Sequence, residues 1–294
     1  SSASSWPLSI LISVFSMLLY FTFITPFCQF IWNTHITGQS LTGFDFTVII
    51  AVMFSGYFAG LVDLVYPRVC EVCKQSLRNI ASIDKLVCAN CWSKIKRNTP
   101  PFCSSCGRHL DKNNVSKNIC PVCARAELHF DRAFSPCIYE GPVRDLIHNF
   151  KYKGKDHLGG VLSRLLTEFI KEYSLPLKYM DLIVPIPLHT AKMREREFNQ
   201  SHILGSFISE EFNIPLAPDA LRRHRFTCAQ AGLEPHSRFN NVRGCFLANK
   251  KITLKNKNIL LIDDVLTTGA TSSEAARTLK ESGANVVFAL ALAN

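Results

Sequence analysis

The sequence is short of acidic residues: 23 Asp and Glu stand against 33 Lys and Arg, which gives a formal net charge of +10 at pH 7. A basic balance favours phosphate-rich ligands or nucleic acid, although many basic proteins bind neither. With 47% hydrophobic and 19% charged residues, the 294-residue chain is long enough for one α/β domain and a smaller module.

Charge is almost absent from residues 1–52, where Asp45 is the only Asp, Glu, Lys or Arg. Residues 8–31 form an apolar run long enough to span a bilayer, and residues 46–62 form a second, marginal one. Because no basic residue flanks the first run, the positive-inside rule cannot orient it, and a signal peptide would lack its basic n-region. Three interpretations stay open: upstream sequence translated ahead of a start at Met53, a membrane anchor or hairpin, and a signal peptide.

The twelve cysteines lack the spacing of a secreted disulfide framework. Eight of them form four Cys-x-x-Cys pairs, with fourteen residues between the first two pairs and thirteen between the last two. This spacing is typical of two zinc ribbons, since each pair supplies two of the four ligands of a tetrahedral Zn²⁺, and it implies a reducing compartment. Sequential and crossed closure of the pairs both fit. The predicted ligands are Cys70, Cys73, Cys88, Cys91, Cys103, Cys106, Cys120 and Cys123.

Few apolar residues lie between these pairs, so we expect the metal to hold the segment together. A Cys₄ site leaves no open position for catalysis, and we therefore expect about two structural zinc ions. The four isolated cysteines are interpreted as ordinary buried or neutral side chains; they are Cys28, Cys137, Cys228 and Cys245.

After about residue 131 the hydrophobic pattern becomes that of an α/β domain. The pattern predicts strands over 181–187, 258–262 and 286–292, and helices over 199–212 and 271–282. Strands and helices that alternate at these lengths predict a parallel sheet with helices on its faces.

Two acidic residues and a small-residue turn follow the predicted strand at 258–262. Asp263 and Asp264 end this strand, where open α/β sheets place their ligands. The small residues that follow let backbone N–H groups approach a phosphate, and the next helix adds partial positive charge at its N-terminus. The two carboxylates are suited to accept hydrogen bonds from ribose hydroxyls and to favour a nearby Mg²⁺. The predicted phosphate cradle consists of Thr267, Thr268, Gly269, Ala270 and Thr271.

The alternative for this segment is a simple capped turn from strand to helix. The thirteen residues from Ile259 to Thr271, however, closely resemble the signature with which type I phosphoribosyltransferases bind phosphoribosyl pyrophosphate (PRPP). The resemblance predicts PRPP binding with Mg²⁺.

A second, basic loop follows the predicted strand at 181–187. A Pro-x-Pro sequence stops the strand, and Asn199 with Gln200 begins the next helix. In type I enzymes the loop at this place holds the pyrophosphate of PRPP, and Arg194 and Arg196 are suited to bidentate contacts with it. The alternative is a solvated, charged helix entrance.

The order of these motifs resembles the ComF family of competence proteins over about residues 61–294. The matching sequences, in order, are the cysteine knuckles, Tyr139–Ile147, Lys151–Gly154, the Pro-x-Pro loop with Arg-x-Phe-Asn-Gln, Thr-x-x-Gln-x-x-Leu at 227–233 followed by Arg238 and Asn241, and the PRPP loop. Residues 61–67 resemble the usual start of such proteins, which favours Met53 as the natural start. One residue departs from the pattern: Glu197 stands where the family usually has glycine, so that an acid either faces the pyrophosphate or points outward.

Together, the patterns and the resemblance divide the chain into an apolar extension at 1–52, a double zinc ribbon at 61–125 and a phosphoribosyltransferase domain at 131–294. The expected fold class is α/β, with a type I phosphoribosyltransferase-like parallel sheet flanked by helices behind a small Cys₄ module. The resemblance also implies a hood at about 131–155. It further implies a lid within 222–238, whose candidate residues are Thr227, Gln230 and Arg238.

Two functions fit these motifs. In the first, an acceptor nitrogen attacks the anomeric carbon of PRPP and pyrophosphate leaves, in support of the uptake of transforming DNA beside a helicase-like ATPase. In the second, a PRPP-sensing accessory of the competence machinery performs no transfer, and its zinc knuckles and the basic segment 222–225 contact single-stranded DNA. We expect a cytoplasmic protein, at the inner face of the membrane if residues 8–62 are an anchor. The sequence does not indicate the acceptor.

Overall fold

A computed structural model describes residues 67–152, 154–227 and 234–294. The interpretations of residues 1–52 and of Met53, Gln230, Cys28 and Cys228 concern residues outside these ranges. Among the described residues, we find no helix with both the length and the apolar character needed to cross a bilayer.

The described secondary structure alternates strands and helices after an N-terminal module of short elements. In chain order the elements are β1 (Ser82–Ile83), β2 (Val87–Cys88), α1 (Ala89–Ser93), β3 (Arg132–Phe134), α2 (Gly141–Asn149), α3 (Leu158–Glu172), β4 (Leu182–Pro185), α4 (Thr190–Arg196), α5 (Gln200–Phe212), β5 (Leu221–Arg223), α6 (Pro235–Val242), β6 (Phe246–Ala248), β7 (Asn258–Val265), α7 (Ala270–Glu281) and β8 (Val286–Ala293). Short 3₁₀ turns lie at Val115–Lys117, Cys123–Arg125, Leu177–Tyr179 and Pro218–Ala220.

Four strands form one parallel sheet in the order β3-β8-β7-β4. In its centre, Leu260 of β7 pairs with Ile183 of β4 on one side and with Phe288 of β8 on the other. A second sheet is the antiparallel pair β5–β6. The predicted α/β class, a parallel sheet flanked by helices behind a cysteine-rich module, is confirmed.

Alternate residues of β7 pack on opposite faces of the sheet. Leu260 and Ile262 belong to the buried cluster that includes α3 and α5, whereas Ile259 and Leu261 belong to the cluster that includes α7. Because both faces are covered, the strand is a continuous apolar run rather than an alternating one.

Strands β4 and β7 end differently from the prediction. The backbone N–H of Ile186 still donates to the carbonyl of Ile262 at 2.9 Å, so the chain leaves the sheet at Pro187, which has no N–H to donate. Strand β7 continues three residues beyond the predicted end because Asp263 and Val265 pair with Ala291 and Ala293 of β8. The carboxyl ends of β4 and β7 therefore lie side by side.

The two cysteine clusters pack with opposite faces of the domain. Cys70 and Cys88 are buried in the same hydrophobic cluster as residues of α2 and α3. Cys103 and Cys120 are buried in the cluster that includes Phe130 and residues of α7. The module thus has one attachment on each side of the sheet.

Candidate phosphate-binding site and zinc centres

The eight paired cysteines form two four-sulfur clusters, each made of consecutive pairs. Within each cluster all ligand atoms lie within 4.8 Å of one another. The Sγ atoms of Cys73 and Cys88 are 3.8 Å apart, and those of Cys106 and Cys120 are 3.6 Å apart. A tetrahedral Zn²⁺ with sulfurs at about 2.3 Å places them about 3.8 Å apart. The pairs therefore close sequentially, and both clusters fit structural zinc.

Backbone amides add to the zinc-ligand character of these thiols. The N–H of Cys88 donates to Sγ of Cys70 at 3.4 Å, and the N–H of Cys120 donates to Sγ of Cys103 at 3.3 Å. Burial opposes ionisation of Cys70, but the amide donors outweigh it and lower the pKa of this thiol to about 7. Since thiolate is the ligand form, these amides favour metal binding.

Among the described residues, two isolated cysteines lie outside both clusters. Cys137 and Cys245 are fully buried. Burial raises the pKa of Cys137 to about 12 and also raises the pKa of Cys245 above its ordinary value. Both are thus neutral thiols at physiological pH.

The carboxyl ends of β4 and β7 open into a pocket of about 570 Å³. This volume lies within the range of roughly 300–1,000 Å³ that is usual for small-molecule sites. Five of the lining residues are Lys or Arg and two are Asp, so the pocket favours an anionic ligand. Eight lining residues are among the predicted site residues: Arg196, Gln200, Thr227, Arg238, Asp263, Asp264, Thr267 and Thr271.

The remaining described candidates do not line the pocket; some of them shape the chain next to it. Gly269 begins α7 in the left-handed conformation, with φ of 78°, and the backbone N–H of Ala270 donates to Oγ1 of Thr268 at 3.4 Å. Asn199 caps α5: its Oδ1 accepts from the N–H of Ser201 at 3.1 Å. Arg194 is exposed on α4 and is not among the lining residues.

Asp263 is held beneath the turn that leads into α7. Its Oδ1 accepts from the backbone N–H of Asp264 at 2.8 Å, and its Oδ2 accepts from the hydroxyl of Ser272 at 3.1 Å. Burial, and after it the neighbouring charge of Asp264, raises the pKa of Asp263 to about 7. A carboxyl group with so strongly shifted a pKa at a pocket edge is typical of a functional site.

Asp264 forms an ion pair that sequence reasoning missed. Nζ of Lys151 lies 2.9 Å from its Oδ2, and the lysine side chain is only 27% exposed. Burial acts to lower the pKa of Lys151, but the ion pair with Asp264 raises it above its usual range, so the lysine stays charged. The sequence offered Lys151 only as part of a family motif, because its partner is more than a hundred residues away.

Other lining residues lie in segments that the sequence analysis named, but it did not predict them as site residues: Tyr139, His148, His189, Arg223 and Phe226. The rings of His189 and Phe226 meet edge to face, with centroids 5.3 Å apart. Arg223 lies over the ring of Phe246, with its guanidinium carbon 5.6 Å from the centroid. Local sequence does not indicate that these side chains line a common pocket, because tertiary packing brings them together.

We call residues 189–200 the arginine loop and residues 267–271 the phosphate loop. Within the arginine loop, Nη1 of Arg196 donates to Oε1 of Gln200 at 3.0 Å. Nε2 of the buried Gln200 donates in turn to the carbonyl of Phe150 at 3.1 Å. This chain of bonds ties Arg196 to the end of α2, from which Lys151 also enters the pocket.

Glu197 ends α4 in a left-handed backbone conformation. Its φ is 70° and its ψ is −17°, and its N–H donates to the carbonyl of Met193 at 2.8 Å. Glycine adopts this conformation freely, whereas another L-residue costs roughly 1–2 kcal/mol. The glycine usual in the family therefore suits the backbone here, and the departure at Glu197 carries a conformational cost.

Comparisons with known proteins agree with this architecture. Residues 61–137 match the protein family described as a double zinc ribbon domain. Competence protein F of Haemophilus influenzae is 29% identical over 210 residues, which cover 70% of this chain and 90% of that protein. DNA utilization protein YhgH of Escherichia coli is 27% identical over 226 residues, which cover 76% of this chain and 96% of that protein. Competence protein ComFC of Bacillus subtilis is 31% identical over 204 residues, which cover 68% and 80%.

Fold and relatives together define the class: a double zinc ribbon joined to a parallel α/β domain. The chain belongs to the ComF family of competence proteins.

The α/β domain also resembles solved structures at low similarity. The glutamine PRPP amidotransferase of B. subtilis, complexed with ADP and GMP, matches at a TM-score of 0.29 and 20% identity over 49% of this chain and 26% of its own. A purine phosphoribosyltransferase from Pyrococcus horikoshii matches at a TM-score of 0.25 and 22% identity. This match covers 45% of this chain and 71% of that protein. The chain thus spans about a quarter of the first of these proteins.

Proposed function

We propose that this protein binds PRPP together with Mg²⁺ in the pocket between β4 and β7. The observation that carries the proposal is that one pocket holds a carboxylate pair, the start of α7 and a positioned arginine. The N-terminus of α7 suits the 5′-phosphate, because the helix dipole and the backbone N–H groups of a first helical turn favour anions. Asp263 and Asp264 suit the ribose hydroxyls, and Arg196 suits the pyrophosphate.

The charge pattern of the pocket agrees with such a ligand. Asp263 and Asp264 are adjacent, and Lys151 offsets the second carboxylate at 2.9 Å. The other lining cations, which include Lys192 and Arg223, favour the polyanion. Asp263 and Asp264 would favour Mg²⁺ beside the pyrophosphate, where the metal would supply partial neutralisation of the leaving group's charge.

We further propose that the bound PRPP transfers its phosphoribosyl group to an acceptor nitrogen. The bond from the anomeric carbon to the pyrophosphate oxygen breaks, the bond from nitrogen to that carbon forms, and the nitrogen gives up a proton to solvent. The protein contributes position and charge neutralisation, for which Arg196 is the best-placed residue in the arginine loop. Zinc has a structural part in this scheme.

The names of the relatives support a role for this chemistry in the handling of DNA. Two of them are competence proteins and one is a DNA utilization protein. We therefore propose that the reaction supports the uptake of transforming DNA, beside a helicase-like competence ATPase.

The alternative is a non-catalytic accessory that senses PRPP or handles single-stranded DNA. The basic segment 222–225 gives the DNA-handling role little support, because two of its three arginines already have other contacts. Arg223 lines the pocket rather than an outer surface. Arg225 donates to the carbonyls of Asn241 and Arg243, at 3.1 and 2.6 Å, and is therefore committed to the end of α6. Arg222 and Arg225 are both exposed, but the guanidinium of Arg225 already donates to those two carbonyls.

Two measurements on the full chain test the proposal. Calorimetry with PRPP should show binding that strengthens when Mg²⁺ is added, with ribose 5-phosphate as the control that lacks pyrophosphate. Absence of PRPP binding at millimolar ligand would refute the site. A screen of nucleobases and amines for PRPP-dependent pyrophosphate release then separates the two functions, since an accessory binds PRPP but releases none.

A further inference from the structure

The zinc module touches the phosphate loop directly. Nη2 of Arg108 donates to the backbone carbonyl of Thr267 at 3.0 Å, although 159 positions separate the two residues. Arg108 stands two residues after the zinc ligand Cys106, so a metal at this cluster fixes the backbone from which the arginine reaches. The first residue of the phosphate loop is thus held from outside its own domain.

A second set of contacts joins the phosphate loop to the segment that follows the second cysteine cluster. Residues 128–130, which we call the strap, connect the second cysteine cluster to β3. A Cβ atom at Gly269 would lie 3.4 Å from the ring of Phe130 and 3.5 Å from Cδ2 of Leu128. The backbone N–H of His129 donates to the hydroxyl of Ser273 in the first turn of α7 at 3.0 Å. The strap therefore packs against both the turn and the helix start that the phosphate would face.

The second cluster is itself seated firmly on the sheet. The backbone N–H of Ala133 donates to the carbonyl of Ser105 at 2.7 Å. Gly107 lies so close that a Cβ there would stand 2.4 Å from the carbonyl oxygen of Ala133, and its φ is 69°. Only glycine fits this position. The cluster, the strap and β3 therefore move together.

We propose that the second zinc ribbon, residues 103–123, and the strap position the phosphate loop, with Arg108 as the positioning residue. Metal at this cluster then fixes the geometry of the phosphate loop, although the metal itself does not contact the ligand of that loop. The ligand of the loop rests on the proposed function, but the mechanical coupling between ribbon and loop does not.

The first ribbon makes a different set of contacts. Glu71, between two zinc ligands, accepts from Nζ of Lys155 at 2.7 Å, and its carbonyl accepts from Nδ2 of Asn149 at 2.8 Å. Arg97, between the two clusters, donates to Oε2 of Glu168 in α3 at 2.9 Å. Arg97 is therefore a matched control: it also joins the module to the domain, but away from the phosphate loop.

Hydrogen–deuterium exchange of the ligand-free full chain tests the coupling without any assumption about PRPP. In Arg108→Ala, amides of residues 267–273 should exchange about threefold to tenfold faster, since the lost hydrogen bond is worth roughly 0.5–1.5 kcal/mol. Arg97→Ala should leave these amides unchanged. Arg108→Lys keeps a donor and should restore part of the protection. Both alanine variants should retain two zinc ions per chain, which shows that the module is folded.

Ligand binding provides the second arm. Arg108→Ala should weaken ribose 5-phosphate and PRPP by the same factor, because both present the phosphate that would face this loop. Unchanged exchange at residues 267–273 in Arg108→Ala, or equal changes in Arg97→Ala, would overturn the inference. If the exchange responds as expected while the wild type binds no PRPP, the coupling stands and the proposed function fails.

Discussion

The phosphate loop and the arginine loop face the same pocket but are held in different ways. Helix α7, which follows the phosphate loop, has eight of its twelve residues buried, and the strand before it is central in the sheet. Helix α4 of the arginine loop has no buried residue among seven. The first loop is thus anchored at a buried helix start, where Gly269 and Ala270 are themselves buried. The second is attached to the core through single contacts, which include those of Gln200 with Phe150 and of Asn199 with Ile186.

Because the phosphate loop is more buried than the arginine loop, the two loops should contribute to ligand binding in different ways. A loop fixed by the core presents its donors without reorganisation, which favours affinity for the part of the ligand it meets. An exposed helix can adjust to a ligand and can be altered without loss of the fold. We therefore expect changes in the phosphate loop to affect stability and binding together, and changes in the arginine loop to separate them.

The largest effect is expected from the carboxylates at the fixed loop. The double variant Asp263→Asn with Asp264→Asn should weaken PRPP by about a hundredfold to ten-thousandfold, since each charge-assisted contact is worth roughly 1.5–3 kcal/mol. Calorimetry with PRPP and Mg²⁺ measures this loss. Glu210→Gln, which removes an exposed carboxylate of α5 outside the pocket lining, is the control and should leave affinity nearly unchanged. Equal affinities in wild type and double variant would exclude these carboxylates from the site.

The raised pKa of Asp263 predicts a stability effect at the same loop. The folded protein holds this proton up to about pH 7, whereas the unfolded chain releases it near the ordinary Asp value. The folded state therefore binds more protons between these values, and stability falls as the pH rises from about 4 to about 7. The resulting loss of stability is on the order of a few kcal/mol.

The variant Asp263→Asn removes this titration and keeps the hydrogen bonds, because an amide can donate to the hydroxyl of Ser272. Its free energy of unfolding, from urea denaturation of the ligand-free protein, should match wild type near pH 4 and exceed it increasingly up to pH 7. Parallel curves for the two proteins would contradict the assigned pKa. A carboxylate kept at such a cost to stability is typical of a residue retained for function.

A smaller effect is expected in the arginine loop. Arg196→Ala should weaken PRPP by about tenfold to a hundredfold, the value of one charge-assisted contact of roughly 1.5–3 kcal/mol. Ribose 5-phosphate should bind almost as before, since it lacks the pyrophosphate. Arg194→Ala, on the exposed side of α4, is the matched control. Should both ligands lose affinity equally in Arg196→Ala, the assignment of this loop to pyrophosphate fails.

The smallest effect concerns the backbone of the same loop. Glu197→Gly should raise the free energy of unfolding by roughly 1 kcal/mol, because glycine accepts the positive φ without strain. PRPP affinity should be unchanged or higher, since a negative charge leaves the loop. Asn213→Gly, at the left-handed end of α5, changes an equivalent backbone position away from the pocket and should leave affinity unaffected. A less stable Glu197→Gly protein would show that the glutamate side chain outweighs the strain.

The sequence was sufficient to predict features that depend on local pattern. The apolar run before Asp263 predicted a buried strand, and the small residues after it predicted a turn into a helix. The Cys-x-x-Cys spacing predicted two four-sulfur sites, which the structure closes sequentially. These features follow from chain periodicity and from the coordination preferences of a metal.

Other features depend on contacts that local pattern does not contain. The pairing of Lys151 with Asp264 and of Arg108 with Thr267 joins residues more than a hundred positions apart. Short strands such as β3 and β5 have only three residues, too few to show a period. The residue type of Glu197 does not indicate its left-handed φ, because glycine is the residue that usually marks such a conformation.

One measurement tests most directly whether a single ligand joins the two loops. Hydrogen–deuterium exchange of the full chain is followed with PRPP and Mg²⁺, with ribose 5-phosphate, and without ligand. We expect PRPP to protect the amides of both the phosphate loop and the arginine loop, and ribose 5-phosphate to protect those of the phosphate loop alone. Protection of neither loop by PRPP, or of both loops by ribose 5-phosphate, would contradict this expectation.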